Sequence, residues 1–88
     1  MKDISRIHYT SDFCKSYRRL PSSVQNIVDR KDRLFRTNPF YHGLYTHKLH
    51  GALDGFWFFW VTRDYRVFLE FVKGGAIFYD IGTHDIYR

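Results

Sequence analysis

A chain of 88 residues holds one domain around one core, which excludes a separate substrate-binding domain. Hydrophobic residues make up 44% and aromatic residues 20%; this excludes a disordered chain and leaves some rings on the surface, where rings usually meet a partner. The net charge of +5 favours a polyanionic partner, and the excess is uneven: Lys and Arg outnumber Asp and Glu nine to four through Tyr45 and match them five to five from Thr46 onward. A single cysteine, Cys14, cannot close an internal disulfide and has no Cys/His partner at useful spacing. No apolar run is long enough for a signal peptide or a membrane span, so a cytoplasmic protein without a membrane partner is expected.

In chain order, Ile4 to Tyr9 reads as a first strand, and Thr10-Ser11-Asp12 can cap the helix that follows. Phe13, Tyr17 and Leu20 recur at helical spacing, opposite Lys15, Arg18 and Arg19, until Pro21 ends that helix. Ser22-Ser23-Val24-Gln25 has the spacing of a capping box, with Ser22 at the N-cap and Gln25 reaching back to it. A second helix then carries Val24, Ile27, Val28, Leu34 and Phe35 on its apolar side and Asp29, Arg30, Asp32, Arg33 and Arg36 on its solvated side. Asn38-Pro39 stops it, because proline disfavours helical geometry at the residue before it.

From Phe40 to Gly55 no period is visible, and Gly43, Gly51, Asp54 and Gly55 mark turns; this loop carries His42, His47, Lys48 and His50. Phe56 to Thr62 is apolar on both faces, as a strand covered on both sides or bearing a ligand surface is. Arg63-Asp64 turns the chain into Tyr65–Val72, where Val67, Leu69 and Phe71 alternate with Arg66, Phe68 and Glu70. After Lys73-Gly74-Gly75, the last strand is expected to set Ile77, Tyr79 and Ile81 on one face and Phe78 and Asp80 on the other, with His84 emerging on the Arg66 side.

The order of elements resembles the RelE/ParE superfamily of bacterial toxins over nearly the whole chain. Phe13 to Pro21 leading into Val24 and Gln25, Asn38-Pro39 followed by His47-Lys48-Leu49-His50-Gly51, and Tyr65-Arg66-Val67 with Gly82-Thr83-His84-Asp85-Ile86-Tyr87 carry the resemblance. The loop His-x-Leu-x-Gly and the terminal Gly-Thr-His are most similar to the YafQ-like branch. The resemblance implies an α+β domain spanning residues 1–88, ordered β-α-α-β-β-β, with two N-terminal helices packed on one face of a small, mostly antiparallel four-stranded sheet. It also implies the toxin of a type II toxin-antitoxin system: a ribosome-dependent mRNA endonuclease needing no cofactor or metal, and neutralised by a cognate antitoxin protein.

On the matched positions, His84 is the expected general acid, since an imidazole titrates near neutral pH. Arg66 is the phosphate cation, and His47, with His50 or Lys48 beside it, is the base or a phosphate ligand. Asp64 orients a histidine, while Tyr87 and Trp60 stack on RNA bases. Two positions depart from the branch: Trp60 stands where it has a second histidine, and Asp80 where it has a basic residue; Asp80 is free to pair with Arg66 or polarise His84 instead. Each residue also has an ordinary explanation. His8 and His42 read as polar surface, Arg66 can be an ion-pair partner of Glu70 or Asp80, Trp57, Phe58 and Trp60 can be packing, and Tyr87 can close the sheet edge. Two other functions remain open: a ParE-like gyrase-binding toxin that uses Arg18, Arg19, Arg30 and Arg33 without catalysis, and a basic RNA- or DNA-binding domain, including a catalytically decayed toxin.

Overall fold

The computed structural model describes residues 4–83 and Asp85. Strand β1 (Arg6–Tyr9) leads into helices α1 (Ser11–Arg19) and α2 (Ser22–Thr37), followed by β2 (His47–Lys48), β3 (Trp57–Trp60), β4 (Arg66–Val72) and β5 (Gly75–Gly82). Short 3₁₀ turns at His42–Leu44 and Gly51–Leu53 flank β2. Among the described residues no helix is long and apolar enough to cross a membrane.

The sheet has five strands in the order β1-β5-β4-β3-β2, with β1 parallel to β5 and the other pairs antiparallel. The expected four-stranded sheet is therefore one strand short. The missing strand lies inside the expected loop, where His47 pairs with Phe58 and Lys48 with Trp57, and the Leu49 amide donates to the Phe56 carbonyl at 2.9 Å. Two residues are too few to show a period of two, so this pairing leaves no alternation in the sequence.

Thr10 caps α1 as expected: its Oγ1 accepts from the Phe13 amide at 3.0 Å. The same hydroxyl donates to the Tyr79 carbonyl at 2.7 Å, fastening the start of the helix to β5. The expected capping box at Ser22 does not form. Pro21 occupies the N-cap and its carbonyl accepts from the Val24 and Gln25 amides, so Ser22 already lies within the first turn. Gln25 instead donates through Nε2 to the Tyr17 carbonyl at 2.8 Å, which joins the two helices.

The core is aromatic. Phe35 from α2 is fully buried, stacks on Phe59 at 5.0 Å and on Phe71 at 5.8 Å, and meets Phe78 edge-on at 5.3 Å. Ile4, Phe13, Val28, Leu44, Val61, Val67, Leu69, Ala76 and Ile81 complete it.

A β-bulge overturns the expected face assignment of the last strand. Phe68 pairs with Asp80 but Leu69 pairs with Phe78, so Tyr79 is the extra residue. Phe78 and Ile81 are thus both buried in the core, at 1% and 2% exposure. Tyr79 packs instead against Phe56 and Phe68 at 5.6 and 6.0 Å, and its hydroxyl donates to Glu70 at 2.9 Å. The alternation expected for β4 holds: Val67 and Leu69 are fully buried, while Arg66, Phe68 and Glu70 are half-buried on the face away from the core.

Candidate RNA-cleavage site

Arg66 opens β4 and pairs across to Trp60 on β3 and to Gly82 on β5. Cross-strand neighbours in register share a face, so the guanidinium meets the rings of β3 directly. It lies 4.9 Å from the Trp60 ring centroid and 5.7 Å from that of Phe58. Neither carboxylate weighed as its partner takes it: Glu70 accepts from the Tyr79 hydroxyl, and Asp80 accepts from the Ser16 hydroxyl at 2.6 Å and from the Ile81 amide at 2.8 Å. Arg66 Nε is shut off from solvent and has no acceptor among the described residues, so it is closed to a ligand as well. The terminal Nη donors are the ones a guanidinium held by π faces can offer to an anion, and no carboxylate among the described residues pairs with them.

His47 reaches the same group of residues from the other side. Its pairing with Phe58 sets it on that face, where the imidazole stacks on the Phe58 ring at 5.5 Å and 15°. Its Nδ1 lies 2.5 Å from the Tyr45 carbonyl oxygen. A carbonyl only accepts, so Nδ1 carries the proton, which makes Nε2 the acceptor atom of the neutral tautomer. Tyr45 in turn rests its ring on Trp60 at 4.6 Å. Contacts therefore run in a closed circuit through Tyr45, Trp60, Arg66, Phe58 and His47, with one cation and one imidazole held by three aromatic rings.

The other expected residues are distributed around this circuit. Asp64 sits in the tight turn between β3 and β4, where Thr62 Oγ1 accepts from the Asp64 and Tyr65 amides, both at 3.2 Å. It lines an open depression of about 580 Å³ together with Trp60, Arg63, Arg66, Thr83 and Asp85. Lys48 is exposed and pairs with Trp57, so alternation sends it to the opposite face from His47. His50 is exposed at the start of the Gly51–Leu53 turn. His84 and Tyr87 lie outside the described residues. Among the described residues no cluster of His, Cys, Asp and Glu has the grouping of a metal site.

Two members of the circuit were not expected. Phe58 read as packing, although its position two residues before Trp60 places both rings on one face. Tyr45 is held by a left-handed backbone at φ 51°, which a tyrosine does not advertise.

Two further surfaces carry charge. A cleft of about 430 Å³ between α1, α2 and the sheet is lined by Tyr9, Tyr17, Asp29 and Asp32 over Phe13, Phe59 and Phe78. Its carboxylates are engaged, Asp29 by the Tyr17 hydroxyl and Asp32 by the Tyr9 hydroxyl, both at 2.7 Å. Burial, then the bond to Asp32, pushes the Tyr9 phenol above its ordinary value; the bond to Asp29 does the same for Tyr17. On the outer side of α2, Arg30, Lys31 and Arg33 line a groove with Leu34, Thr37, Tyr41 and Gly43.

The fold, with its five-stranded mixed sheet, is similar to that of several solved toxin structures. It is similar to YafQ from E. coli, with a TM-score of 0.77 and 19% identity over 99% of this chain and 98% of that one. It is also similar to the YoeB/ParE toxin from Agrobacterium tumefaciens (TM-score 0.74, 17% identity, 96% and 99% covered). A third similar structure is the RelBE2 toxin-antitoxin complex from Mycobacterium tuberculosis (TM-score 0.77, 11% identity, 96% and 100% covered). No protein-family model and no curated protein matches the sequence.

Proposed function

We propose that this chain is the toxin of a type II toxin-antitoxin system and that it cleaves mRNA on the ribosome, with a cognate antitoxin as its inhibitory partner. The observation that carries this reading is the circuit itself: a guanidinium that pairs with no carboxylate among the described residues and an imidazole held through Nδ1 touch the same Phe58 ring. Those are the cation and the base that ribonucleotide cleavage requires. The toxin-like fold supports the biological setting.

In the proposed reaction, His47 Nε2 takes the proton of a ribose 2′-hydroxyl. The 2′-oxygen attacks the adjacent phosphorus, the bond to the 5′-oxygen of the next nucleotide breaks, and His84 delivers a proton to that leaving oxygen. The products are a 2′,3′-cyclic phosphate and a 5′-hydroxyl end. Arg66 stabilises the charge that grows on the non-bridging oxygens, which matters most where the aromatic rings exclude water. Asp64, in the depression beside Arg66, orients a histidine, and His50 serves with His47 as base or phosphate ligand. Lys48 holds the RNA strand from the edge of β2, and Trp60 and Tyr87 grip its bases.

The test is induced expression of wild type, Arg66→Ala and His84→Ala, with growth and transcript ends followed together. Arrest with new breaks inside translated messages, lost in both variants, is the expected result. The basic groove of α2 favours one competing reading, a gyrase-binding toxin. Arrest that survives both substitutions without RNA breaks, and disappears in Arg30→Glu/Arg33→Glu, would establish that reading in place of the nuclease.

A further inference from the structure

Among the described residues, Tyr45 is the one non-glycine residue with positive φ, at φ 51° and ψ 44°. L-residues with large side chains avoid this conformation, and where it persists the surrounding structure is holding it for a purpose. At Tyr45 it achieves two placements at once. The carbonyl is turned to receive His47 Nδ1, and the ring is laid on Trp60 at 4.6 Å and 40°. Tyr45 is nevertheless 51% exposed. An exposed tyrosine therefore stands beside the proposed base, backed by the indole that also carries the Arg66 guanidinium at 4.9 Å.

We propose that Tyr45 and Trp60 form a nucleobase-binding subsite, in which one base of a single-stranded RNA stacks on the ring of the exposed Tyr45 while its neighbouring phosphate is held by Arg66. RNA as the ligand rests on the nuclease reading above. The juxtaposition favours a nucleotide over an apolar protein side chain, because the latter uses the rings and leaves the cation unmatched, whereas a nucleotide uses both. Since the carbonyl of the stacking residue also orients His47, the base that fits Tyr45 fixes which ribose lies in front of Nε2. Tyr45 is thus a specificity-determining residue as well as a positioning one.

The experiment separates the ring from the backbone. Tyr45→Gly removes the ring while accepting the left-handed backbone, so the carbonyl still reaches His47; Tyr45→Phe keeps the ring. Binding to the full chain is measured with short single-stranded RNA oligonucleotides that carry 2′-O-methyl groups and cannot be cleaved. Tyr45→Phe is expected to bind like wild type. Tyr45→Gly is expected to bind roughly 5- to 150-fold more weakly, the range for one base-aromatic stack. Trp60→Leu, which withdraws the support under Tyr45, is expected to weaken binding as well. With cleavable RNA, Tyr45→Gly raises KM more than it lowers kcat and flattens the preference among nucleotides. Equal binding by wild type and Tyr45→Gly, an equal loss in Tyr45→Phe, or no RNA binding by wild type would each overturn the subsite. Ring-dependent binding in a protein that cleaves no RNA, on or off the ribosome, would sustain the subsite and remove the nuclease reading alone.

Discussion

The guanidinium of Arg66 lies 4.9 Å from the Trp60 ring centroid, so the cation of the candidate site is seated on an indole and not on a carboxylate. That arrangement makes Arg66 available without leaving it loose. Arg66→Ala is expected to lower the cleavage rate about 10²- to 10³-fold, the usual consequence of removing one stabilising donor. Stability should change by only about 1 kcal/mol, the scale of an accessible cation–π contact. Arg66→Lys should fail to restore the rate, because an ammonium lacks the planar fork that both stacks and binds phosphate. Single-turnover cleavage and denaturant unfolding of the three proteins check this; a large stability loss in Arg66→Ala would make the residue a structural one.

His47 and His84 are assigned the two proton transfers at opposite ends of one displacement, and this makes their losses interdependent. His84→Ala and His47→Ala should each lower cleavage by about 10²- to 10⁴-fold. The double variant should fall well short of the product of the two, as groups acting as a unit do. End-group chemistry on the RNA fragments is the second readout. Wild type should leave 5′-hydroxyl ends that accept a phosphate from a kinase; 5′-phosphate ends would exclude attack by the 2′-oxygen.

The sequence placed Arg66 on the open face of β4, and what it left unread shares a cause. Alternation in β4 correctly separated Arg66 from Val67 and Leu69, because buried strands repeat every two residues. The same rule misplaced Phe78 and Tyr79, since the bulge opposite Phe68 and Leu69 inserts one residue and reverses the parity on one side of it. Asp80 was weighed against Arg66, but its hydroxyl partner Ser16 lies 64 positions away, on a helix whose approach to β5 no local pattern encodes. Likewise, strand β2 exists only because β3 is present to pair with it, and the left-handed turn at Tyr45 only because Trp60 and His47 receive its ring and carbonyl.

Tyr9 links the sheet to α2 through its bond to Asp32, while Arg36 Nη2 donates to the Tyr9 oxygen at 3.1 Å and Arg36 Nε pairs with Asp32 at 3.5 Å. Burial first, and then the Asp32 bond, raises the Tyr9 phenol above its ordinary value of 10.0, so the folded protein holds this proton more tightly than the unfolded chain does. The contribution is complete below about pH 10 and is lost as pH climbs through the raised folded value. Tyr9→Phe should cost about 1.5–3 kcal/mol near neutrality, the net worth of a hydrogen bond to a charged group. It should also flatten the fall in stability above pH 10, measured as the denaturation midpoint against pH. An alkaline limb of unchanged steepness in Tyr9→Phe would assign that limb to other groups.

Gly75 pairs in register with Arg6 at the start of both β5 and β1. A Cβ built there falls 2.0 Å from the Arg6 carbonyl oxygen, which is backbone and cannot swing aside as a side chain can. Gly75→Ala must therefore push β1 outward, disturbing the Arg6-to-Tyr9 ladder and, through Tyr9, its bond to Asp32 on α2. The expected cost is about 1–3 kcal/mol, the range for overpacking a closely fitted site. Because the candidate site is built on β2, β3 and β4, whereas β1 is the opposite edge of the sheet, the variant should bind uncleavable RNA with nearly wild-type affinity wherever it remains folded. Urea unfolding and RNA titration on the same preparation test both halves. A weakened RNA complex at full folding would show that the β1 edge communicates with the Tyr45–Trp60–Arg66 side through β5, the strand between β1 and β4.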